Sequence, residues 1–264
     1  MCDLEKKLPQ ESISNLGWNQ FGTEYDFGEF SGSPHVYLLA STGRSGSHFL
    51  GSLLFETGQL GSPLEYLHPK HMARWQSQLG TSGNVETLTA LFRRRTSPTG
   101  WFGLKAHWPQ FSPFISDEPM FEKLAIKKYI YIERRDKIAQ AISMVIAQQS
   151  NSWISFQKPT CEVSYDFEAI NKAMSALVAQ ETEWEKFFND SRISPLRIIY
   201  EDLQQEPHEN MQKIRDFFGL TTNNANRNVK HRPKQQATDT NIIWKKQFLQ
   251  DRRSKSEKTR GSYT

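Results

Sequence analysis

The hydrophobic positions of the chain change period repeatedly, and each period predicts one type of element. Continuous or alternating apolar runs predict strands over residues 36–41, 101–107, 127–134 and 196–203. Spacings of three and four predict helices from the turn after the first strand to about residue 57, and over 84–95, 136–149, 166–189 and 208–218. Strands that alternate with helices are typical of an α/β fold with a parallel sheet covered on both faces. Ligands of such sheets bind at the carboxyl ends of the strands.

Particular residues mark the expected helix ends. Asn84 is the predicted N-cap of the helix over 84–95, because its side chain can accept from a free backbone N–H. Gly58 and Gly61 are expected to end the first helix, and Gly219 ends the helix over 208–218.

The length of 264 residues predicts one domain over 1–264, since α/β domains often reach this size. Residues 1–33 are polar with aromatic interruptions, and we expect an arm packed on the domain. Residues 227–264 hold eleven Lys and Arg against three acids, although the whole chain carries only +4. A basic segment attracts anions such as nucleic acid or a phosphorylated cofactor, and a solvated, frayed terminus is the alternative.

The chain lacks several features that would place it outside the cytoplasm. Cys2 and Cys161 are too few for a metal cluster or a disulfide framework, which is typical of a reducing compartment. The N-terminus has no apolar run, and no stretch approaches the length of a transmembrane helix. We therefore expect a cytoplasmic protein without a signal peptide or a transmembrane segment.

The segment VYLLASTGRSGSHFL, residues 36–50, has the layout of a phosphate-binding turn. A predicted strand ends in a Gly/Ser-rich turn, and a helix follows, so unpaired N–H groups and the helix dipole point at the turn. Gly43 and Gly46 allow close approach of the backbone, and Arg44 can donate two hydrogen bonds to an anion. The turn lacks GxxxxGK[ST], which disfavours a standard triphosphate site. Such a turn can also merely join a strand to a helix.

A second anion-binding pattern follows the strand over 127–134. Arg135 precedes a predicted helix, and Ser143 lies eight positions later on that helix. The two can share an anion only if Arg135 lies on the loop and reaches along the helix. The alternative is that the arginine makes surface ion pairs with helix carboxylates.

Four motifs together resemble one known family. TGRSGSHFL, TGQLGSPLEYL, FGLKAHWPQ and IYIERRDKIAQAISM, in this order and spacing, resemble the bacterial trehalose sulfotransferases. These are carbohydrate sulfotransferases that use 3′-phosphoadenosine 5′-phosphosulfate (PAPS). The resemblance is firm over about residues 36–150 and continues weakly through YEDL at 200–203 and the segment 241–244. It implies a P-loop-like three-layer sandwich with a central parallel sheet flanked by helices.

The resemblance also implies which residues bind PAPS. The loop for the 5′-phosphosulfate matches Gly43, Arg44, Ser45, Gly46, Ser47 and His48, where the family usually has Thr in place of His48. Arg135 and Ser143 match the pair that grips the 3′-phosphate. Lys234 is a candidate ligand in the basic segment, which in the family folds over the cofactor.

On the acceptor side the family's proposed general base corresponds to Glu65. A carboxylate can take the proton of an acceptor hydroxyl during in-line sulfuryl transfer. Lys105 and His107 resemble the KTH segment of cytosolic sulfotransferases, in which the His is the base, so His107 is the alternative. We assign Glu65 as base, with Lys105 and His107 orienting the acceptor or stabilising charge. Further expected acceptor contacts are Pro63, Tyr66 and Trp108. His68 and His71 are expected in a loop or at the surface.

The predicted function is therefore sulfuryl transfer from PAPS to a carbohydrate or glycolipid hydroxyl. No metal is expected, because arginines and helix N-termini supply the positive charge. One alternative is a P-loop kinase using ATP, and another is a catalytically inactive nucleotide-binding relative. We expect a small-molecule or glycolipid acceptor, no nucleic-acid partner and a possible homodimer, and the sequence does not identify the acceptor.

Overall fold

The computed structural model describes residues 19–153, 160–220, 227 and 239–261, with side chains as far as residue 257. The strands are His35–Ser41 (β1), Trp101–His107 (β2), Lys128–Glu133 (β3) and Leu196–Ile199 (β4). The helices are Ser47–Glu56 (α1), Pro69–Leu79 (α2), Asn84–Arg95 (α3), Trp108–Phe111 (α4), Glu118–Leu124 (α5), Lys137–Ser150 (α6), Phe167–Asp190 (α7), Tyr200–Gln205 (α8), Pro207–Phe218 (α9) and Asp239–Gly261 (α10).

The four strands form one parallel sheet in the order β2-β1-β3-β4, which confirms the predicted α/β fold. β1 is central and is buried from Val36 to Ser41, because helices cover both faces of a parallel sheet. The register pairs Ser41 with His107 on one side and with Ile132 on the other. The carboxyl ends of three strands therefore meet at one edge.

Alternate side chains of β1 enter two separate apolar layers. Leu38 belongs to a cluster on one face that includes Trp75 of α2 and Trp184 of α7. Leu39 belongs to the cluster on the other face, with Leu50 of α1. The sheet is thus the middle of three layers, as expected from the period-2 geometry of a strand.

The described residues divide into two compact units. The sheet and its covering helices belong to one unit, which comprises 19–135, 180–220 and residue 227. The other unit contains α6, α10 and the first half of α7, and its apolar cluster consists of Ala141, Ile142, Val145, Ile170, Leu177, Trp244 and Phe248. In this unit Cys161 is disulfide-bonded, so the cysteines give no support to a reducing compartment. The single domain over 1–264 stays a prediction.

Several predicted elements need correction. The strand predicted over 196–203 ends at Ile199, and YEDLQQ forms α8 instead, with two acids in its first turn, where the helix dipole favours them. Asn84 is the first residue of α3 rather than its N-cap, which is Gly83. α2, α4, α5 and α10 were not predicted. The ends at Gly58 and Gly219 are confirmed, since both glycines have positive φ, Gly219 directly after α9 and Gly58 after the C-cap residue of α1.

The N-terminal arm is described from residue 19. Phe21 and Tyr25 are buried in the apolar layer that contains Trp75, so this part of the arm packs on its unit. Among the described helices, none is long and apolar enough to cross a membrane.

Candidate active site

The turn between β1 and α1 has an unusual backbone. Arg44 and Gly46 both have positive φ, +63° and +89°. A Cβ at position 46 would lie 2.2 Å from Cδ2 of Tyr200, so only glycine fits there. Positive φ at a non-glycine residue is costly and tends to occur at functional sites. The turn leads directly into the N-terminus of α1, whose first N–H groups have no partner within the helix.

Two guanidinium groups lie at this turn. Arg134 Nη1 donates to the carbonyl oxygen of Arg44 over 3.3 Å, and the Arg134 guanidinium carbon lies 5.0 Å from the centre of the Tyr200 ring. Burial, followed by the charge of Arg134, lowers the pKa of Arg44 to about 10, against the opposing effect of Tyr200. Arg44 therefore stays cationic at neutral pH, and the end of β1 is electropositive.

The loop GSPLEYL lies along β2. The Lys105 N–H donates to the carbonyl oxygen of Leu64 over 3.0 Å, and Leu64 forms an isolated parallel bridge with Leu104. This pairing brings Glu65 beside Lys105, with Nζ 2.8 Å from Oε1. The two side chains are 11% and 1% exposed, so the ion pair is buried.

Glu65 is the centre of a polar cluster. His48 Nε2 lies 3.4 Å and His107 Nε2 3.9 Å from its Oε1. Gln110 Nε2 donates to Oε2 over 2.8 Å. Because His48 lies in the first turn of α1, the cluster adjoins the turn described above.

The charges in this cluster are distributed unevenly. Burial raises the pKa of Glu65, but the cation of Lys105 and the hydrogen bond from His48 outweigh it and hold this pKa well below the ordinary value. Burial lowers the pKa of Lys105, and Glu65 opposes that effect. Burial, then Lys105, lowers the pKa of His48 to about 4, and burial also lowers the pKa of His107. At neutral pH Glu65 is ionised and both imidazoles are neutral.

Ser41 holds the ring of His107. The Nδ1 atom of His107 lies 2.9 Å from Oγ of Ser41, and this hydroxyl also lies 3.3 Å from the carbonyl oxygen of Ala106. Nε2 of the ring therefore faces Oε1 of Glu65.

Most residues predicted from the motifs occupy these two places. Glu65, Lys105, His107 and His48 come together, although His48 contacts the carboxylate rather than serving only the turn. Ser45 in the turn is buried, and its Oγ has no hydrogen-bond partner within the described residues. Ser47 is the buried first residue of α1, and Gly43 lies in the turn.

The predicted acceptor contacts are buried to different extents. The Tyr66 ring lies in the core 5.2 Å from the Phe102 ring, and its hydroxyl donates to the carbonyl oxygen of Ser62 over 2.7 Å. Because ring and hydroxyl are already engaged, the structure gives no support to Tyr66 as an acceptor contact, and that role stays a prediction. Pro63 is also buried, against Gly103 of β2. Trp108 is half-buried with its ring edge-on to Trp184, and its role stays a prediction.

The predicted 3′-phosphate ligands are not brought together in one described unit. Arg135 is exposed, its Nη2 lies 3.0 Å from both carboxylate oxygens of Asp202, and its N–H donates to Oε2 of Glu201. This is the ion-pair alternative that the sequence left open. Ser143 lies on α6 in the other unit, and Lys234 lies outside the described residues.

Some site residues were missed or misplaced from the sequence. His71 is half-buried, with Nδ1 3.0 Å from the carbonyl oxygen of Glu65, and its ring lies 4.3 Å from that of His68. His68 lies in the loop before α2, as expected, whereas the expectation for His71 is wrong, because His71 is half-buried within α2. Gln110 and Ser41 were not recognised. The only signal for Gln110 was its place three residues after His107, which here forms a capping box.

The glycine-containing turn, two arginines and a buried carboxylate–lysine pair lie toward the carboxyl ends of the strands in a P-loop-like α/β fold. The family described as "Sulphotransf: Stf0 sulphotransferase" matches residues 36–251. The chain therefore belongs to the Stf0 sulphotransferase family.

Curated relatives agree with this assignment. The chain is 23% identical over 261 residues to the trehalose 2-sulfotransferase of Mycolicibacterium smegmatis, covering 84% of this chain and 97% of that protein. It is 26% identical over 231 residues to the trehalose 2-sulfotransferase of Mycobacterium tuberculosis, covering 69% of this chain and 84% of that protein.

Solved structures with a lower overall similarity include two sulfotransferases. One is the sulfotransferase domain from the curacin biosynthetic pathway, with 16% identity, a TM-score of 0.42 and coverage of 74% of this chain and 77% of that chain. The other is mouse sulfotransferase SULT7A1 complexed with PAP, with 17% identity, a TM-score of 0.43 and coverage of 75% and 62%.

Proposed function

We propose that this protein transfers a sulfuryl group from PAPS to a hydroxyl of a carbohydrate or glycolipid, with Glu65 as the general base. The observation that carries the proposal is the buried cluster of Glu65, Lys105 and His107 beside the first turn of α1. Family membership supports the reaction class, and the names of the two mycobacterial relatives support a sugar-containing acceptor.

The turn residues fit an anionic sulfate donor. The first N–H groups of α1 and the cationic Arg44 would hold the 5′-phosphosulfate, and the buried hydroxyl of Ser45 would gain the partner that it lacks among the described residues. When bound, PAPS supplies an activated sulfuryl group and a phosphate leaving group. Arg135, Ser143 and Lys234 stay predicted ligands of the 3′-phosphate.

Glu65 would accept the hydroxyl proton at Oε1. Its low pKa keeps it ionised through the neutral range, and the adjacent Lys105 can stabilise negative charge that develops in the transition state. The same low pKa weakens Glu65 as a base while Lys105 remains in contact. The neutral His107 would donate from Nε2–H to the oxygen of the acceptor hydroxyl and so direct the hydroxyl proton toward Oε1.

The test is transfer of ³⁵S-labelled sulfate from PAPS to a panel of sugars, glycolipids and cell extract, with calorimetric binding of PAP, the desulfated product. We expect labelled product with the wild type, loss of turnover with Glu65→Gln and unchanged PAP affinity. Glu86→Gln is the matched control, since its carboxylate is bonded to Ser82 at an exposed site. PAP binding without transfer to any acceptor would indicate an inactive relative. Turnover of ATP with magnesium and no affinity for PAP would indicate a kinase.

A further inference from the structure

Gln110 links the end of β2 to the carboxylate of Glu65. It lies on α4, directly after β2, and is 9% exposed. Its Oε1 accepts from the His107 N–H over 3.0 Å, and its Nε2 donates to Glu65 Oε2 over 2.8 Å. A backbone N–H can only donate, so the oxygen end of the amide is fixed at His107. The nitrogen end is thereby directed at Glu65.

This contact makes the two oxygens of Glu65 different. Oε2 is held by the amide, whereas Oε1 faces Lys105 at 2.8 Å and the imidazoles of His48 and His107. Rotation of a carboxylate about its last torsion is soft, so packing alone does not fix which oxygen faces which neighbour. A donor on one oxygen removes that freedom. Without it, both oxygens could turn toward the ammonium of Lys105.

We propose that Gln110 is a positioning residue that holds Oε2 of Glu65, so that Oε1 is the oxygen presented to the acceptor hydroxyl. This inference rests on the proposed function, in which Glu65 is the base. Gln110 itself contacts no reacting atom. The competing explanation is that Gln110 only caps α4 through its bond with the His107 N–H.

Two substitutions separate positioning from capping. Gln110→Glu keeps an oxygen for the His107 N–H but places a second carboxylate against Glu65. Gln110→Met removes both hydrogen bonds while keeping the volume of the side chain. Gln59→Met is the matched control, because Gln59 is also a buried glutamine, 7% exposed, and was not assigned to the site.

We expect both Gln110 variants to lose about 10- to 100-fold in kcat at pH 7.5, since a small displacement of a catalytic group is this costly. Calorimetric PAP affinity should stay within about twofold, because the turn is untouched. Gln110→Glu should regain activity as the pH falls and the facing carboxyls share a proton, which restores a donor. Gln110→Glu with wild-type kcat at pH 7.5 would show that Gln110 only caps α4 and would overturn the proposal.

A second measurement tests the contact between Gln110 and Glu65 without turnover. Carbon NMR of ¹³C-labelled glutamate carboxyls, with Glu65→Gln for assignment, follows the titration of Glu65 in the unliganded protein. Gln110→Met should raise the pKa of Glu65, because a donor to the charged form is lost. An unchanged titration would overturn the positioning role. If the wild type transferred no sulfate but the titration moved as expected, the proposed function would fail while the Gln110–Glu65 contact stood.

Discussion

Replacing Lys105 with methionine removes the buried cation beside Glu65 and keeps most of the side-chain volume. The pair is 2.8 Å apart, and its side chains are 1% and 11% exposed, so water cannot replace the lost partner. Removing one member of a buried ion pair costs about 3–5 kcal/mol, because the other charge is left uncompensated. We expect Lys105→Met to lower the free energy of unfolding by this amount at pH 7. That is a large fraction of the ~5–15 kcal/mol typical of a folded domain.

The measurement is urea denaturation of Lys105→Met, Glu65→Gln and the double variant. The double variant should regain most of the stability, since no unpaired charge remains buried. Lys186→Met is the matched control, because the Lys186–Asp190 pair is exposed and such pairs contribute little to stability.

The pH dependence of the free energy of unfolding tests whether this effect is electrostatic. In the wild type the folded-state pKa of Glu65 is lowered, so stability is lost as the pH falls below about 4.5. In Lys105→Met burial is the dominant effect and raises this pKa, so the variant gains relative stability as the pH falls. The stability gap should therefore narrow on acidification. Additive losses in the double variant, or a gap independent of pH, would refute the electrostatic account of the pair.

Three further substitutions test other parts of the site. Gly46→Ala should lower the free energy of unfolding by about 2 kcal/mol or more and weaken PAP binding, measured by calorimetry, at least tenfold. The control is Gly80→Ala, because Gly80 also has positive φ but has open space where the new Cβ would lie. This variant should lose ~1 kcal/mol and bind PAP as the wild type does. His48→Asn should reduce the change in melting temperature between pH 6.5 and about 4. In the wild type the free energy of unfolding decreases as the pH falls through this range, because the imidazole binds a proton in the unfolded chain but stays neutral in the folded protein. The same decrease in the variant would contradict this reasoning. Asp202→Asn should free Arg135 and tighten binding of PAP about threefold but not of AMP. Weaker PAP binding in that variant would mean that the carboxylate orients the arginine instead.

The sequence predicted best those elements in which burial determines the spacing of the apolar residues. β1 and β2 are buried over most of their length, and each starts and ends where predicted to within one residue. α2 was missed because it is mostly polar, with only Met72 and Trp75 buried. The segment YEDL, residues 200–203, was assigned to the preceding strand, because that strand is apolar and so short a segment shows no helical period.

The sequence by itself determined the order of strands and helices, the glycine turn ahead of α1, and the family to which the motifs belong. It did not determine that Glu65 meets Lys105, because that contact depends on the loop before α2 pairing with β2. Nor did it reveal Gln110 or the burial of Tyr66. The spacing of apolar residues within one element indicates which face of that element is buried. Contacts between side chains far apart in sequence are fixed only when strand register and packing bring them within hydrogen-bond distance.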